Sequence, residues 1–488
     1  MLRWLLKRKL ALPFLLGILL TITLYVSATR QKSIQSVGAV AASSPTTLFM
    51  PIAGEGSPPL LCRFGVNVLQ DLTGLNLAPL RIGWYVDYDA QASPLVPKGI
   101  EYTPVIRLTQ TGANASDYTY SPGGAQLQTA IASNPGADWL VGNEPDRRDY
   151  QDDIEPHVYA AAYHELYHLI KNADPTARIF AGTIVQPTPI RLQYLDMVLE
   201  SYESSYGEPM PADGWSIHNF ILNEVSCEYD ETNCWGAEIP PGIDAPYGEI
   251  IAIDDNDNID IFKQRIRDFR QWMADRGYGG LPVLLSEYGV LMPEWLGFPV
   301  TRVNTFMNNT FNYMLSATDS QLGDPNDGYR LIQKWAWYST GAPDDLYNGA
   351  LFDAVTKQRT AMGDNYAAYT AQRQAEIDLY PSRVFSTGSG SAVTLKATIA
   401  NSGNLVLSTT PVTVQFFRGD PAAGGVQIGA DQTVSLSGCG DNQTVEVVWR
   451  NPPTGNHTVY VVVDPGNAVS ETNEQNNKAS QQIVIGGN

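Results

Sequence analysis

The chain has 488 residues, which is long for one hydrophobic core and favours at least two folded domains. Hydrophobic residues make up 43% and charged residues 17%, a composition typical of globular proteins. Lysine and arginine number 31 against 51 aspartates and glutamates, and the net charge of −20 argues against nucleic acid as a partner, because phosphates require a basic face.

The first 30 residues have the pattern of a signal peptide or a signal anchor. Basic residues come first, and an apolar stretch follows from Leu10 to Ala28. This stretch is long for a cleaved signal and just long enough to span a bilayer, so secretion and membrane anchoring both stay open. The basic residues before it predict that the remainder lies outside the cytoplasm. Residues 31–57 are predicted to be a flexible tether.

Residues 58–378 alternate apolar runs with helical patterns. The runs that favour strands are Leu61–Val68, Leu80–Tyr88, Tyr102–Leu108, Trp139–Glu144, Arg178–Val185, Trp215–Leu222, Pro282–Gly289 and Ile332–Tyr338. The clearest helical patterns are Val158–Asn172, Leu192–Tyr202, Ile261–Arg276 and Val303–Leu315. Eight alternating units in roughly 300 residues predict an α/β fold, a (β/α)8 TIM barrel. A doubly wound open sheet is the alternative.

The sequence pattern changes near the C-terminus. Asp378–Ser382 has the composition of a linker. Beyond it, residues 383–488 contain short alternating runs separated by Gly, Asn and Asp turns, without helical patterns. The runs are Ala392–Ile399, Val412–Phe417, Thr444–Trp449 and Thr458–Val463. This pattern predicts an all-β, immunoglobulin-like sandwich.

Two glutamates each stand at the end of a predicted barrel strand. Glu144 follows an apolar run and precedes Pro145, which cannot continue a sheet, and Glu287 ends a second apolar run. In a barrel, the carboxyl ends of all parallel strands meet on one rim. One such glutamate is often only a solvated loop residue, but two in matching positions favour a pair that cleaves glycosidic bonds, in which one carboxyl protonates the leaving oxygen and the other attacks or activates water.

Four other residues fit supporting roles on this rim. Asn143 is placed to bind a sugar hydroxyl, His218 to bind the acid or a sugar, Arg81 to keep Glu287 ionised, and Trp337 to form a platform for a sugar ring. For each residue taken alone, a core or solvated role is at least as plausible.

These residues together resemble a known enzyme class. Gly142-Asn143-Glu144-Pro145, Ser286-Glu287-Tyr288-Gly289, His218 and Trp337 look like the clan A glycoside hydrolases, which are (β/α)8 retaining enzymes. The resemblance covers about Leu61 to Gln372. Within this class, the Asn-Glu-Pro-Asp form of the motif resembles the alkali-sensitive-linkage-type branch, which is similar to β-1,3-glucanases. It implies that Glu144 is the acid/base and Glu287 the nucleophile, that Tyr288 belongs to the substrate-binding residues, and that no cofactor is needed.

The C-terminal segment resembles another family. Asp464-Pro-Gly-Asn and the run from Glu471 to Asn477, together with Ala400-Asn401-Ser-Gly403, look like CARDB domains. This resemblance implies a cell-surface spacer or adhesion module without catalysis.

Two competing functions have their own sequence support. His164-Glu165-Leu166-Tyr167-His168 is a complete HExxH motif, which would make the chain a zinc metalloprotease. Its histidines lie about 200° from Leu166, on the face away from the predicted core, so a metal site is not expected. A barrel that binds glycans without cleaving them is the second alternative.

The four cysteines divide into a close pair and two distant residues. Cys227 and Cys234 lie in one polar loop and are expected to form a disulfide if the protein is exported. Cys62 and Cys439 fall in different predicted domains and are expected to be free. The sequence therefore predicts an exported retaining glycoside hydrolase acting on a β-linked polysaccharide or oligosaccharide, and leaves the sugar, the linkage and the oligomeric state open.

Overall fold

The part of the chain that can be described begins after the predicted leader and tether. The computed structural model describes residues 60–485 except 98, 149–150, 344–345, 375, 388–390, 402, 404–406, 408–410 and 440. The signal segment and the tether therefore lie outside the described residues. In the described part, no helix is long and apolar enough to cross a membrane.

The first sheet contains ten strands. They are β1 Phe64–Asn67, β2 Trp84–Val86, β3 Glu101–Tyr102, β4 Val105–Gln110, β5 Tyr118–Ser121, β6 Asp138–Val141, β7 Arg178–Ile184, β8 Gly214–His218, β9 Val283–Tyr288 and β10 Lys334–Trp337. Their order is β3-β2-β1-β10-β9-β8-β7-β6-β4-β5, and only β4 and β5 pair antiparallel.

The parallel part of this sheet closes on itself through the third predicted strand. β3 and β4 stand at its two ends, and only Thr103 and Pro104 separate them along the chain. The third strand is split here because proline has no N–H for a sheet ladder. With β3 and β4 counted as one strand and β5 set aside, eight parallel positions remain. The predicted (β/α)8 class is confirmed.

Helices cover the outside of the sheet. They are α1 Gly124–Ser133, α2 Pro156–Ala173, α3 Pro189–Tyr206, α4 Ile259–Asp275, α5 Val300–Ser316 and α6 Ala361–Thr370. The four predicted helices are confirmed as α2 to α5. Sequence reasoning missed α6, although Thr360 caps it by accepting hydrogen bonds from the backbone of Met362 and Gly363.

The centre of the barrel is packed with side chains. Because side chains alternate along a strand, each strand points every second residue inward. The inward residues include Trp84, Val86, Val105, Leu140, Phe180, Leu284 and Ala336. Gly214 leaves room for the Phe180 ring, since a Cβ at Gly214 would lie 2.2 Å from it. A filled centre leaves polar chemistry to the two edges of the barrel.

The C-terminal domain consists of two antiparallel sheets, which confirms the predicted sandwich. Its strands are β11 Leu379–Thr387, β12 Ala392–Asn401, β13 Val412–Arg418, β14 Val426–Gln427, β15 Gln432–Val434, β16 Asp441–Arg450, β17 Gly455–Val463 and β18 Lys478–Ile485. One sheet has the order β11-β12-β16, and the other contains β14-β13-β17-β18 with β15 on β13. The predicted linker at Asp378–Ser382 is wrong, because most of it belongs to β11. Pro381 is accommodated because β11 is an edge strand whose register shifts there.

A disulfide joins the barrel to the sandwich. Cys62, just before β1, bonds to Cys439, just before β16, although 377 residues separate them. Gly99, just before β3, lies so close to Gly438 that a Cβ on it would be 3.2 Å from the Gly438 backbone. The expectation that Cys62 and Cys439 are free is therefore wrong. The sandwich contacts the edge of the barrel where its strands begin.

Candidate active site

Glu144 stands on a sharply bent segment after β6. Gly142 and Glu144 have φ angles of 83° and 46°, in the left-handed region that is costly for a residue with a side chain. The bend is held by hydrogen bonds: Glu144 N donates to Thr183 O (2.9 Å), and Asn143 N donates to Asp152 Oδ2 (2.7 Å). These contacts fix the glutamate at the end of its strand, 1% exposed.

Glu287 reaches the same place from β9. It pairs in register with His218 at the end of β8, and its side chain is buried. Asn67 at the end of β1 donates from Nδ2 to Ser286 O (2.8 Å), which ties down the neighbouring peptide. The two glutamates are 143 residues apart in sequence, yet both lie on the predicted rim.

His218 lies between the two carboxyl groups. Its ring is fully buried, with Nδ1 3.0 Å from Glu144 Oε1 and Nε2 3.2 Å from Glu287 Oε1. The ligand-type atoms of Glu144, His218 and Glu287 all lie within 4.8 Å of one another. The predicted partners are therefore together, and one imidazole contacts both.

Arg147 is a fourth charged group that the sequence analysis missed. Its Nη1 donates to Glu144 Oε2 (2.9 Å) and its Nη2 to Gly236 O (3.3 Å), and the residue is 8% exposed. Gly236 follows the loop that the predicted Cys227–Cys234 disulfide closes. Both oxygens of Glu144 thus accept hydrogen bonds, one from Arg147 and one from His218.

The surroundings push the pKa values of the two carboxyl groups apart. Burial alone would raise the pKa of Glu144, but the Arg147 charge and the His218 hydrogen bond lower it to about 2. Burial raises the pKa of Glu287 to about 7, with the Glu144 charge adding to the effect and His218 opposing it. Burial disfavours the charged form of His218, but Glu287 and Glu144 raise its pKa above the ordinary value. In this arrangement of charges, a proton therefore resides on Glu287 more readily than on Glu144.

Two tyrosines complete the walls around the pair. The side chain of Tyr88, after β2, lies beside Glu287, whose charge helps to raise the pKa of this tyrosine together with burial. Tyr338, after β10, packs edge-on against Phe220 and stacks with Tyr347. Ala336 points into the barrel, so alternation also turns Tyr338 inward, a signal that was present in the sequence.

Tyr288 and Trp337 lie in the wall behind the site. Because Glu287 points inward, the next residue points outward, and Tyr288 packs against Phe262 of α4 and lies near Thr310 of α5. Trp337 is fully buried, contacts the Tyr288 ring edge-on at 5.3 Å, and donates from Nε1 to Gly349 O. The expected sugar platform at Trp337 and sugar contact at Tyr288 are therefore corrected.

Arg81 lies at the opposite edge of the barrel. It precedes β2 by a short turn, and its Nη1 donates to Thr370 O and Arg373 O, each at 2.9 Å. The expectation that it keeps Glu287 ionised is wrong, because residues before a strand lie at the edge where the strands begin. Asn143 does lie at the rim, where its Nδ2 donates to Gln151 Oε1 (3.2 Å).

Metal binding can be considered at two places among the described residues, the glutamate pair and the HExxH motif. Glu144, His218 and Glu287 are close enough to hold an ion, although Arg147 already supplies a positive charge to Glu144. The HExxH residues form no such group there: His164 Nδ1 lies 2.8 Å from the Tyr202 hydroxyl, and Glu165 accepts hydrogen bonds from Tyr118 and Tyr120. The expected absence of a metal stays a prediction.

Comparison with known proteins identifies the C-terminal domain. The CARDB family matches residues 377–481, as the sequence analysis predicted. A CARDB domain from Pyrococcus furiosus, solved in complex with di-metal ions, is 20% identical, with a TM-score of 0.20 and coverage of 23% of this chain and 96% of its own. No curated protein matches the chain.

The chain is also similar, at low sequence identity, to solved structures that match most of its length. A glucosidase from Croceicoccus marinus is 10% identical, with a TM-score of 0.42, over 81% of this chain and 94% of its own. An oligosaccharide-binding protein of glycoside hydrolase family 128 from Trichoderma gamsii is 11% identical, with a TM-score of 0.38, over 65% of this chain and 98% of its own.

Proposed function

We propose that the protein is a retaining glycoside hydrolase that cleaves β-linked polysaccharide with Glu144 and Glu287. The observation that carries the proposal is the pair of buried carboxyl groups on one barrel rim, with one oxygen of each within 4.8 Å. Retaining enzymes hold their two carboxyl groups about 5–5.5 Å apart, whereas inverting enzymes leave a wider gap for water.

The reaction proceeds in two displacements. Glu287 attacks the anomeric carbon and forms a glycosyl ester, while Glu144 gives its proton to the departing oxygen. Glu144 then removes a proton from water, the water attacks the anomeric carbon, and Glu287 leaves as a carboxylate. The rim position of Asn143 suits a contact with a sugar hydroxyl.

The first displacement needs the proton on Glu144, whereas the arrangement of charges favours it on Glu287. In the proposed route, the 3.2 Å contact between His218 Nε2 and Glu287, which is not aligned as a hydrogen bond here, becomes one; Nε2 then accepts the proton of Glu287 and Nδ1 releases one to Glu144. The transfer changes neither the number of protons nor the net charge. It is favoured once a sugar separates Arg147 from Glu144 and takes away the charge that lowers the pKa of Glu144.

The substrate lies outside the cytoplasm in this proposal. Both cysteine pairs are oxidised, which suits an exported protein, and CARDB domains suit a position at the cell surface. No cofactor enters the mechanism.

A glycan panel with matched variants tests the function. The wild-type protein should release reducing ends from a β-glucan or a related polysaccharide, and Glu144→Gln and Glu287→Gln should each lower kcat about 10³-fold or more, because each removes one displacement partner. Asp268→Asn, on the outer helix α4, is the control. NMR of the first-formed product should show retained anomeric configuration; inversion, or full activity in either glutamine variant, rejects the proposal.

A second function has one observation in its favour. Arg147 holds Glu144 as an ion pair, which suits a barrel that binds glycans without cleaving them. Binding of an oligosaccharide by the wild-type protein, without product after long incubation and without gain of activity in Arg147→Met, would favour this alternative.

A further inference from the structure

A cavity of about 490 Å³ opens at the rim of the barrel next to Tyr88. It is lined by the segments that follow β1 and β2, including Leu69, Gln70, Asp87, Tyr88 and Gln91. Cavities of several hundred cubic ångströms are the usual size for small-molecule sites. No residue role assigned so far uses it.

The cavity is continuous with the site through one of its own walls. Tyr88 lines it, and its hydroxyl lies near enough to Glu287 for the two groups to shift each other's pKa. Leu69 N and Gln70 Nε2 bond to Thr340, two residues after Tyr338. The cavity is therefore the space that a sugar unit adjoining the one at Glu287 would reach past Tyr88.

The lining has the chemistry of a sugar subsite. Carboxylates and amides can accept and donate paired hydrogen bonds with neighbouring hydroxyls, and tyrosine rings suit the apolar face of a pyranose. Asp87 is held in place by Gln91, whose Nε2 donates to Asp87 Oδ2 (2.6 Å). We propose that this cavity binds a neutral sugar unit next to the one that Glu287 attacks, and that Asp87 selects against uronic acids. The proposal rests on the glycoside hydrolase function.

The negative charge of the cavity lining is the basis of the proposed selection against uronic acids. The lining contains Asp71, Asp87 and Asp89 and neither lysine nor arginine among its described residues. Lys357 stands beside this wall, bonded to Gln70 and close to Asp71, and offsets that end of the cavity. Asp87 and Asp89 remain at the other end, where burial raises the pKa of Asp87 to about 6. Above that pH, a sugar carboxylate would meet like charge.

The test compares neutral β-gluco-oligosaccharides with matched oligosaccharides that carry a glucuronic acid unit, at pH 7.5. Wild type should prefer the neutral substrates. Asp87→Asn should lower kcat/KM for the neutral substrates about tenfold, because it weakens a charge-assisted hydrogen bond. It should also reduce the preference for neutral over acidic substrates about tenfold. Asp268→Asn, which removes the same charge from α4, should change neither.

The outcomes separate this inference from the function it rests on. If active Asp87→Asn keeps the wild-type preference, or if Asp268→Asn matches its effect, the subsite assignment is overturned. If wild type cleaves nothing, the hydrolase proposal fails, and calorimetric binding of the same neutral oligosaccharides decides the subsite: binding lost in Asp87→Asn supports it, and unchanged binding overturns it. If Asp87→Asn does not fold, Gln91→Ala tests the same wall.

Discussion

The two edges of the barrel both bury charged residues, but they balance the charges differently. At the edge where strands begin, Lys334 forms ion pairs with Glu101 and with Asp138 (3.5 Å), and Arg178 forms one with Asp138 (2.7 Å). At the edge where strands end, Glu144 and Glu287 share His218, and Arg147 forms an ion pair with Glu144.

The difference separates structural charges from reactive ones. At the first edge, the charges of Glu101 and Asp138 outweigh burial and raise the pKa of Lys334, Arg178 and Lys334 lower the pKa of Asp138, and burial raises the pKa of Glu101. At the other edge, burial raises the pKa of Glu287, whereas Arg147 and His218 lower that of Glu144. Carboxyl pKa values therefore separate at both edges, and the reactive pair differs in sharing the titratable His218 instead of a lysine.

Breaking the balanced edge should have the largest effect on stability. Lys334→Met leaves the buried Asp138 and the partly exposed Glu101 with one cation fewer, and should lower the free energy of unfolding by about 3–5 kcal/mol. Urea unfolding followed by tryptophan fluorescence measures the change. Lys396→Met, which removes an exposed ion pair in the sandwich, should cost less than about 1 kcal/mol. Equal effects of the two variants would contradict the comparison.

Removing a charge from the reactive edge should raise the free energy of unfolding at high pH, whereas Lys334→Met lowers it. The pKa of Glu287 in the folded state, about 7, lies above the value of about 4.3 in an unfolded chain. Its stabilising contribution is therefore full below pH 4.3 and lost as the pH rises through 7. Glu287→Gln should raise stability at pH 8 by about 1–3 kcal/mol and change it little at pH 4. A lower unfolding temperature at pH 8 would show that Glu287 is a structural charge.

The smallest effect should be a shift in the pH profile. Activity needs one proton on the Glu144–Glu287 pair, so kcat/KM should fall as the pH rises through about 7. Arg147→Met removes a charge that lowers both pKa values, so both limbs should move to higher pH by about one unit. Arg148→Met is the control, because Arg148 binds the Ile239 and Pro240 carbonyls instead of Glu144. A profile unchanged in Arg147→Met would contradict the role given to this arginine.

Much of the site followed from one rule, that parallel strands end on a common rim. This rule brought together Glu144, His218 and Glu287. The errors came from orientation: Trp337 and Tyr288 were placed on the correct strands, but each follows an inward residue, Ala336 or Glu287, and points outward. Strict alternation from the inward Leu284 would not have placed Glu287 inward, because the register of β9 shifts before it. Arg147 could not be predicted, because a residue three positions after Glu144 reaches it only when the backbone bends as it does here.

Other features depend on contacts that no local pattern encodes. The Cys62–Cys439 pair requires the sandwich to pack against the edge where the barrel strands begin. The β11 strand was taken for a linker because its proline and charged neighbours suggest a turn, and only pairing with β12 reveals it.

The Cys62–Cys439 bond also decides how the molecule carries mechanical load. It closes the barrel into a covalent ring, because the chain enters the barrel near Cys62 and Cys439 lies beyond the barrel's last helix. Tension between residues 60 and 485 passes from Cys62 across the disulfide to Cys439 and on through β16, β17 and β18. The barrel lies outside this path. A force that pulls on the two ends therefore acts on the sandwich strands and does not separate Glu144 from Glu287.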